Sequence, residues 1–128
     1  MLNIGDNVTV STEVTFVTHD HSIYHLRHKG GDLFGKIQIG NNCFIGERAV
    51  IMYGVSLADN VIVAAGSVVT KSFQDSNIII GGNPARVIST WDVFGQKYLD
   101  NHFDGWADIY RSAKTDDPRF VVRKNYRD

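Results

Sequence analysis

The 128-residue sequence lacks the features that mark several classes of protein. Its single cysteine, Cys43, excludes an internal disulfide and fits a reducing compartment, so we expect a cytoplasmic protein. Lysine and arginine number 13 against 14 acidic residues, which predicts no nucleic-acid surface. No apolar run approaches the roughly 20 residues of a membrane span. Residues 1–7 show neither the basic nor the apolar part of a secretory signal.

What the sequence does contain is a period of six. Every sixth residue from Ile39 to Val69 is aliphatic, and the same spacing covers the first 16 residues. This period fits neither a helix nor an ordinary strand, and it is typical of a chain that turns a corner every six residues and stacks on itself. Abundant Val, Ile and Thr with recurring Gly favour short strands and corners. We therefore predict an all-β solenoid whose apolar block starts are Ile4, Val10, Phe16, Ile39, Ile45, Ile51, Leu57, Val63, Val69 and Ile80.

The period is interrupted twice and then ends. Residues 22–38 are a polar insertion, which predicts a long loop of the kind that usually carries function. A second, shorter excursion is expected between Val69 and Ile80. Beyond Ser89 the period is lost and aromatic residues accumulate, with a helical turn or two expected around 90–101. We predict a β-solenoid domain over 1–88 and a C-terminal, partly helical cap or tail over 89–128.

Histidines cluster where the first interruption begins. An imidazole titrates near neutral pH and suits the work of a general base. On a strand, His19 and His21 would share one face, whereas His25 and His28 are more simply interpreted as solvated loop residues. Cys43 occupies a core position of the repeat, so we interpret it as a small buried hydrophobe and not as a nucleophile.

The repeats, the histidine-bearing loop, the segment VAAGSVVTK and the segment GGNPARVI together resemble a known family. They are similar to the hexapeptide-repeat left-handed β-helix acyltransferases, in particular the maltose, galactoside and nodulation O-acetyltransferases and the cell-surface polysaccharide O-acetyltransferases. The resemblance covers residues 4–88. It implies a left-handed parallel β-helix with turns over 4–21, 39–56 and 57–74 and a fourth turn beginning at Ile80. It also implies a homotrimer with active sites between subunits.

The same resemblance implies an acetyl-CoA-dependent O-acetyltransferase that acts on a sugar hydroxyl, such as that of a polysaccharide precursor. The catalytic histidine of the family follows the fifth-position valine of the preceding block by seven residues. Counting from Val14 gives His21 as the general base, with His19 as the second candidate.

The group that would orient the imidazole is left open. Asp20 alternates to the other face of the strand, and Asp32 and Glu47 are further candidates. Zinc is the alternative use of clustered histidines, since some left-handed β-helix proteins of the γ-carbonic anhydrase type bind it between subunits. Such a site needs histidines on successive turns. Because residues 30–100 contain none, we predict no metal.

Binding residues also follow from the resemblance. Ala64 and Ala65 match positions where the pantetheine arm approaches the backbone. Thr70, Lys71 and Arg86 match positions near the nucleotide phosphates, where a cation suits a polyanion.

The sequence also departs from the family. Phe44 stands where many relatives have tryptophan, and Glu47 where they have a small or hydroxylic residue, so both are expected to bear on the acceptor. Relatives have a further turn before the equivalent of Ile4, which predicts either a differently built acceptor pocket or a short form with little or no activity. Two alternatives therefore stay open: an N-acetyltransferase for an amino sugar, and a truncated non-catalytic scaffold.

Overall fold

The structure is a computed structural model, and the residues it describes are 1–28 and 30–98. Most strands in this part of the chain are two or three residues long, which suits a sequence rich in Val, Ile and Thr and broken by corner residues. In chain order the elements are β1 (Leu2–Ile4), β2 (Thr9–Val10), β3 (Thr15–Phe16), β4 (His19–Asp20), α1 (Ser22–Arg27), β5 (Leu33–Phe34), β6 (Ile37–Ile39), β7 (Phe44–Ile45), β8 (Val50–Ile51), β9 (Ser56–Leu57), β10 (Val61–Val63), β11 (Val68–Val69), β12 (Ile78–Gly82), β13 (Ala85–Thr90) and α2 (Trp91–Tyr98).

The strands build three parallel sheets that the chain visits in rotation. The first sheet has the order β1-β6-β9, the second contains β2-β7-β10-β12, and the third has the order β3-β8-β11. Each strand therefore lies beside the strand one full turn away, and none of these parallel neighbours is next in the chain. This arrangement confirms the predicted stacking of short strands. The left hand of the coil stays a prediction.

The long insertion leaves the register of the stack unchanged. Ile4 pairs with Ile39 across 35 residues of chain, in the same register in which Ile39 pairs with Leu57. Elsewhere the turns repeat at a separation of 18 residues. The predicted loop, residues 22–38, is not featureless: it contains the six-residue helix α1 and the strand β5, which pairs antiparallel with β4 just before the loop. Its last two residues already belong to β6. The sequence analysis did not predict this helix.

Block starts point inward and form the core. From the second turn onward, those in the strands are between 0% and 4% exposed, as the period of six requires: Ile39, Ile45, Ile51, Leu57, Val63, Val69 and Ile80. Ile4 and Val10, in the first turn, are about 40% exposed. Each sheet therefore contributes one block start per turn to the core, and small or apolar residues two positions earlier fill the space beside them, such as Cys43, Ala49, Val55 and Val61.

The second interruption is not an excursion. Phe73 forms a parallel bridge with Leu57 and so supplies the first-sheet position of the fourth turn. Ile80 pairs with Val63 in the second sheet, so the fourth turn does not begin at Ile80 as expected. The turn is merely shortened, from a separation of 18 residues to 16 at Phe73 and 17 at the second sheet. β12 then pairs antiparallel with β13, which ends the parallel stack.

A column of asparagines holds the corner between the first and second sheets. Asn7, Asn42, Asn60 and Asn77 all have φ between 53° and 61°. In this left-handed region asparagine is favoured over most side chains. Each Nδ2 donates to the Oδ1 of the next asparagine, at 2.7, 2.8 and 2.8 Å. Backbone conformation and stacking thus select the same residue type at this corner.

The chain divides into two compact units, and the first is Met1–Thr90. β13 runs to Thr90, two residues beyond the predicted domain end at residue 88. In the second unit the described part is α2, which lies within the helical stretch expected around 90–101. The rest of the predicted tail lies outside the described residues, and the predicted domain division stays a prediction.

Candidate active site

The loop that follows β3 brings two imidazoles to one carboxylate. Nδ1 of His21 lies 2.5 Å from Oδ1 of Asp32, and Nε2 of His19 lies 4.0 Å from Oδ2 of the same side chain. Pairing of β4 with β5 draws the two ends of the loop together, because His19 is opposite Phe34. Asp32 directly precedes β5, so this pairing places it beside the two histidines.

The contact between His21 and Asp32 determines which ring nitrogen carries the proton. An ionised carboxylate can only accept a hydrogen bond, so Nδ1 of His21 is the donor and Nε2 is left as the acceptor. The His21 side chain is 58% exposed, so a substrate can reach the ring. An accessible imidazole with its Nε2 lone pair available is arranged to take a proton.

Asp20 anchors the start of α1. Its Oδ1 accepts from the Ser22 hydroxyl at 2.5 Å and from the Ser22 N–H at 2.9 Å. These bonds, and a further one from the Tyr53 hydroxyl, hold the pKa of Asp20 below its usual value. The same carboxylate raises the pKa of Tyr53, which belongs to the next turn of the coil. Asp20 therefore ties the base of the loop to the stack, and it does not orient either imidazole.

Aromatic rings lie against both candidate bases. The Tyr24 ring is stacked on His21, with centroids 4.8 Å apart and planes 20° apart. The Phe34 ring is stacked on His19 at 5.7 Å and 21°. His25 and His28 meet the Tyr24 ring edge-on, at 6.1 and 5.7 Å. Each candidate base thus has its own aromatic neighbour, and both share one carboxylate.

The remaining predicted site residues lie at two different corners of the coil. We call the corner between the third and first sheets the loop corner; it carries the histidine loop and residues 52–54 and 70–72. We call the corner between the second and third sheets the alanine corner; it carries residues 46–48 and 64–66. The third sheet lies between the two corners. Within one chain the structure therefore does not bring His21 together with Ala65.

Small residues form most of the alanine corner. Ala65 is exposed and Ala64 half-buried, and neither side chain is large enough to cover the main chain. Successive turns touch here through backbone, since a Cβ at Gly46 would lie 2.6 Å from the nitrogen of Ala65. Gly81 is similarly close, because a Cβ there would lie 3.1 Å from that of Ala64. The corner thus presents small residues to a ligand, and close packing between its turns leaves no room for larger side chains at Gly46 or Gly81.

The other predicted contacts are all on the surface. Thr70 and Lys71 are exposed at the loop corner, and Nζ of Lys71 lies 5.5 Å above the ring of Phe73. Arg86 is exposed on β13, where its Nη1 donates to the carbonyl of Ala85 at 3.0 Å. Two residues expected near the acceptor are also exposed, on the second sheet and at the alanine corner respectively: Phe44 and Glu47.

Cys43 is buried, as the sequence predicted, with 3% exposure. Its Sγ donates to the carbonyl oxygen of Ala58 at 3.3 Å, and burial raises the pKa of the thiol. In residues 1–28 and 30–98, no three His, Cys, Asp or Glu side chains come together so as to hold a metal ion. Nor does this part of the chain contain a helix of the length and apolar character that crossing a membrane requires.

Two residues of the loop region were not predicted from the sequence: Tyr24, which stacks on His21, and Tyr53, which bonds to Asp20. Tyr24 lies three residues after His21, which places both rings on one side of a helix, but the helix itself was not predicted. Tyr53 lies 33 positions beyond Asp20 in the printed chain, and only the stacking of turns brings them together. Counting residues by turns would have located Tyr53 at the loop corner.

Comparisons with known proteins agree with this architecture. The family model for the hexapeptide repeat of succinyl-transferase matches residues 36–71. Protein CapG of Staphylococcus aureus is 45% identical over 103 residues, which cover 79% of this chain and 59% of CapG. Galactoside O-acetyltransferase of Escherichia coli (strain K12) is 41% identical over 88 residues, which cover 68% of this chain and 43% of that protein.

Solved structures give the same result. A galactoside acetyltransferase in complex with coenzyme A superposes with a TM-score of 0.67 at 34% identity, covering 83% of this chain and 50% of the other. The polysialic acid O-acetyltransferase OatWY superposes with a TM-score of 0.62 at 29% identity, covering 70% of this chain and 44% of the other. The chain thus spans about half the length of the relatives it matches.

Proposed function

This chain belongs to the hexapeptide-repeat acyltransferase family, and on that premise we propose that it is an acetyl-CoA-dependent O-acetyltransferase acting on a sugar hydroxyl. The observation that carries the proposal is the pairing of His21 with Asp32 at 2.5 Å. A hydroxyl is a poor nucleophile while protonated, so transfer from a thioester needs a base placed beside it. His21 has the tautomer and the exposure that this role requires.

In the proposed reaction, Nε2 of His21 takes the proton of the acceptor hydroxyl while its oxygen attacks the thioester carbonyl carbon. A tetrahedral intermediate forms, whose oxyanion needs a hydrogen-bond donor such as a backbone N–H. The carbon–sulfur bond then breaks, and the departing thiolate takes the proton from the His21 imidazolium. The products are the acetyl ester and free coenzyme A. Asp32 keeps Nδ1 protonated throughout and stabilises the imidazolium.

Acetyl-CoA is proposed to bind between two copies of the chain. The exposed Ala65 is available to the pantetheine arm, with the small, half-buried Ala64 beside it, and Thr70, Lys71 and Arg86 are available to the phosphates. The alanine corner and the loop corner are separated by a sheet, so one acetyl-CoA that contacts both must lie between subunits. A homotrimer satisfies this requirement, because rotational symmetry brings the loop corner of one chain to the alanine corner of the next.

The proposal includes a left-handed coil and a sugar acceptor. A superposition does not tolerate a change of hand, so the match to family structures supports the left hand that the resemblance implies. Two relatives whose names refer to galactoside and polysialic acid support a sugar as acceptor. Phe44, which is 42% exposed, offers a ring face for the C–H side of a sugar, and Glu47 offers an acceptor for its hydroxyls.

Release of free thiol from acetyl-CoA, followed with a panel of sugars and amino sugars, tests the proposal. We expect turnover with a hydroxyl acceptor, a loss of at least 100-fold in His21→Ala, and a smaller loss in His19→Ala. His25→Ala is the matched control, since His25 is in α1 and its ring is not stacked on Tyr24 but lies at 85° to it.

Undiminished turnover in His21→Ala would show that His21 is not the base. Acetylation restricted to amino sugars would make the enzyme an N-acetyltransferase. Absence of coenzyme A binding by calorimetry, together with absence of turnover, would contradict the proposed function as a whole.

A further inference from the structure

We propose that Tyr24 is a positioning residue for the base: its ring fixes the plane of the His21 imidazole and favours the imidazolium formed when His21 takes a proton. The inference rests on the proposed function, because it assigns Tyr24 a part in the reaction of the same site. It goes beyond the pairing of His21 with Asp32, which by itself leaves the ring able to turn about the hydrogen bond.

The short helix α1 is built so that Tyr24 meets His21. His21 is the N-terminal cap residue of α1, and its carbonyl accepts from the N–H of Tyr24 at 3.2 Å. At the other end, the N–H of His28 donates to the carbonyl of Tyr24 at 2.7 Å, with His28 in the left-handed conformation that ends the helix. Both bonds fix the backbone of Tyr24. The three-residue spacing then places its ring over the imidazole.

Two restraints together fix the direction of Nε2. Asp32 holds the ring at Nδ1, within the plane of the imidazole. Tyr24 lies against the face of the same ring, at 4.8 Å between centroids and 20° between planes. A bond in the plane and a contact on the face leave the imidazole one orientation. A base held in this way does not have to be reoriented when the acceptor binds.

The stack also has an electrostatic consequence. The face of an aromatic ring carries negative charge density and attracts a cation. When His21 becomes an imidazolium, the Tyr24 ring stabilises the cation through the stacked faces of the two rings, and Asp32 stabilises it at Nδ1. The neutral ground state gains less from the same contact, so the interaction acts mainly in the transition state.

Other titratable groups near the stack set the conditions of the test. His19 shares the Asp32 carboxylate with His21. His25 and His28 meet the edge of the Tyr24 ring. Asp20 precedes His21 and bonds to Ser22. All variants are therefore compared in one buffer at one pH, so that a difference in kcat does not come from a difference in conditions.

The experiment combines NMR of the histidine ring protons with steady-state kinetics of the full chain. In the unmodified protein we expect the ring protons of His21 to be shifted upfield by the Tyr24 ring current. Tyr24→Phe should keep this shift and keep kcat within about twofold. Tyr24→Leu should abolish the shift and lower kcat roughly three- to tenfold, the factor that a stacking contact of this kind implies, with KM for acetyl-CoA unchanged.

Two further variants complete the design. Leu26→Ala removes an apolar side chain of α1 that is 78% exposed. This variant controls for a loss of α1 stability. Phe34→Leu removes the ring that lies on His19, and it should leave the His21 ring shift in place.

The following outcomes would overturn either the role of Tyr24 or the proposed function. An unshifted His21 ring in the unmodified protein, or a Tyr24→Leu variant with full kcat, overturns the inference while leaving the proposed function intact. A loss in Phe34→Leu in place of Tyr24→Leu would transfer the role of base to His19 and also overturn it. Absence of turnover in the unmodified protein, despite the expected ring shift, would overturn the proposed function, and with it the catalytic part assigned to Tyr24.

Discussion

Asp32→Asn isolates the contribution of the carboxylate to the candidate base. The substitution keeps the shape of the side chain and removes its charge. An amide can accept from Nδ1 through its oxygen, but it can also donate through its nitrogen, which would move the ring proton to Nε2 and block the base. A hydrogen bond to a charged partner contributes about 1.5–3 kcal/mol. Because the side chains of His21 and Asp32 are 58% and 27% exposed, solvent screening places this contact at the lower end of that range, near 1.5–2 kcal/mol.

That energy corresponds to a fall in kcat of roughly 10- to 30-fold. Thiol release under saturating acetyl-CoA measures it, and KM for acetyl-CoA should stay within about twofold, since Asp32 contacts the imidazoles and not the alanine corner. Asp75→Asn removes an exposed carboxylate elsewhere and serves as the control. If Asp32→Asn kept its kcat within twofold of the unmodified protein, the reasoning from tautomer and charge would be refuted.

Three other perturbations test the scaffold. Asn60→Gly should lower the free energy of unfolding by about 1–2 kcal/mol, since two amide hydrogen bonds at 2.8 Å are lost. Asn60→Ala should lower it by about 1 kcal/mol more, because alanine at φ 57° is strained. Equal urea midpoints for the two variants would contradict this reasoning. Burial raises the pKa of Cys43, so iodoacetamide at about pH 8 should label it only in urea, and rapid labelling of the folded protein would contradict the core packing. The lowered pKa of Asp20 means that its stabilising effect is present above the unfolded value of about 3.9 and is lost as pH falls through the folded value. Asp20→Asn should therefore lower the urea midpoint at pH 7, and the difference from the unmodified protein should shrink below about pH 4; a difference that persists at acid pH would count against the anchor.

The stacked sheets could be predicted because each turn requires apolar residues at the same positions. One residue in six must fill the interior, and a mismatch at any turn would leave a void or a buried polar group. The second interruption was harder to interpret, because a turn shortened by one or two residues and a small excursion both interrupt the six-residue count. Phe73 resolves the difference through its bridge to Leu57, a contact that periodicity alone does not reveal.

Helix α1 could not be predicted for a physical reason. It has six residues, its cap residue His21 makes no side-chain capping bond, and its first turn contains no acidic residue. Helices this short are unstable alone and depend on their surroundings. Here Asp20 supplies the hydrogen bonds at the start of α1, and Tyr53 ties Asp20 to the neighbouring turn.

The sequence named candidates for the site but not their arrangement. Asp32 was one of three possible partners for an imidazole, and only the pairing of β4 with β5 selects it. His19 and His21 were expected on one strand. In the structure His19 is in β4 and His21 begins α1, yet both reach the same carboxylate. The loop has no repeat, so nothing in its spacing encodes these contacts.

The unchanged register across the insertion bears on the order in which the chain folds. Pairing of β1 with β6 must close 35 residues of chain, whereas the later turns close 18. A loop of twice the length costs about 0.6 kcal/mol more in chain entropy. The second to fourth turns are therefore expected to associate first, and the first turn to join a stack that already exists. The histidine loop connects these two parts, so the two imidazoles and Asp32 would come together only at the last step of folding.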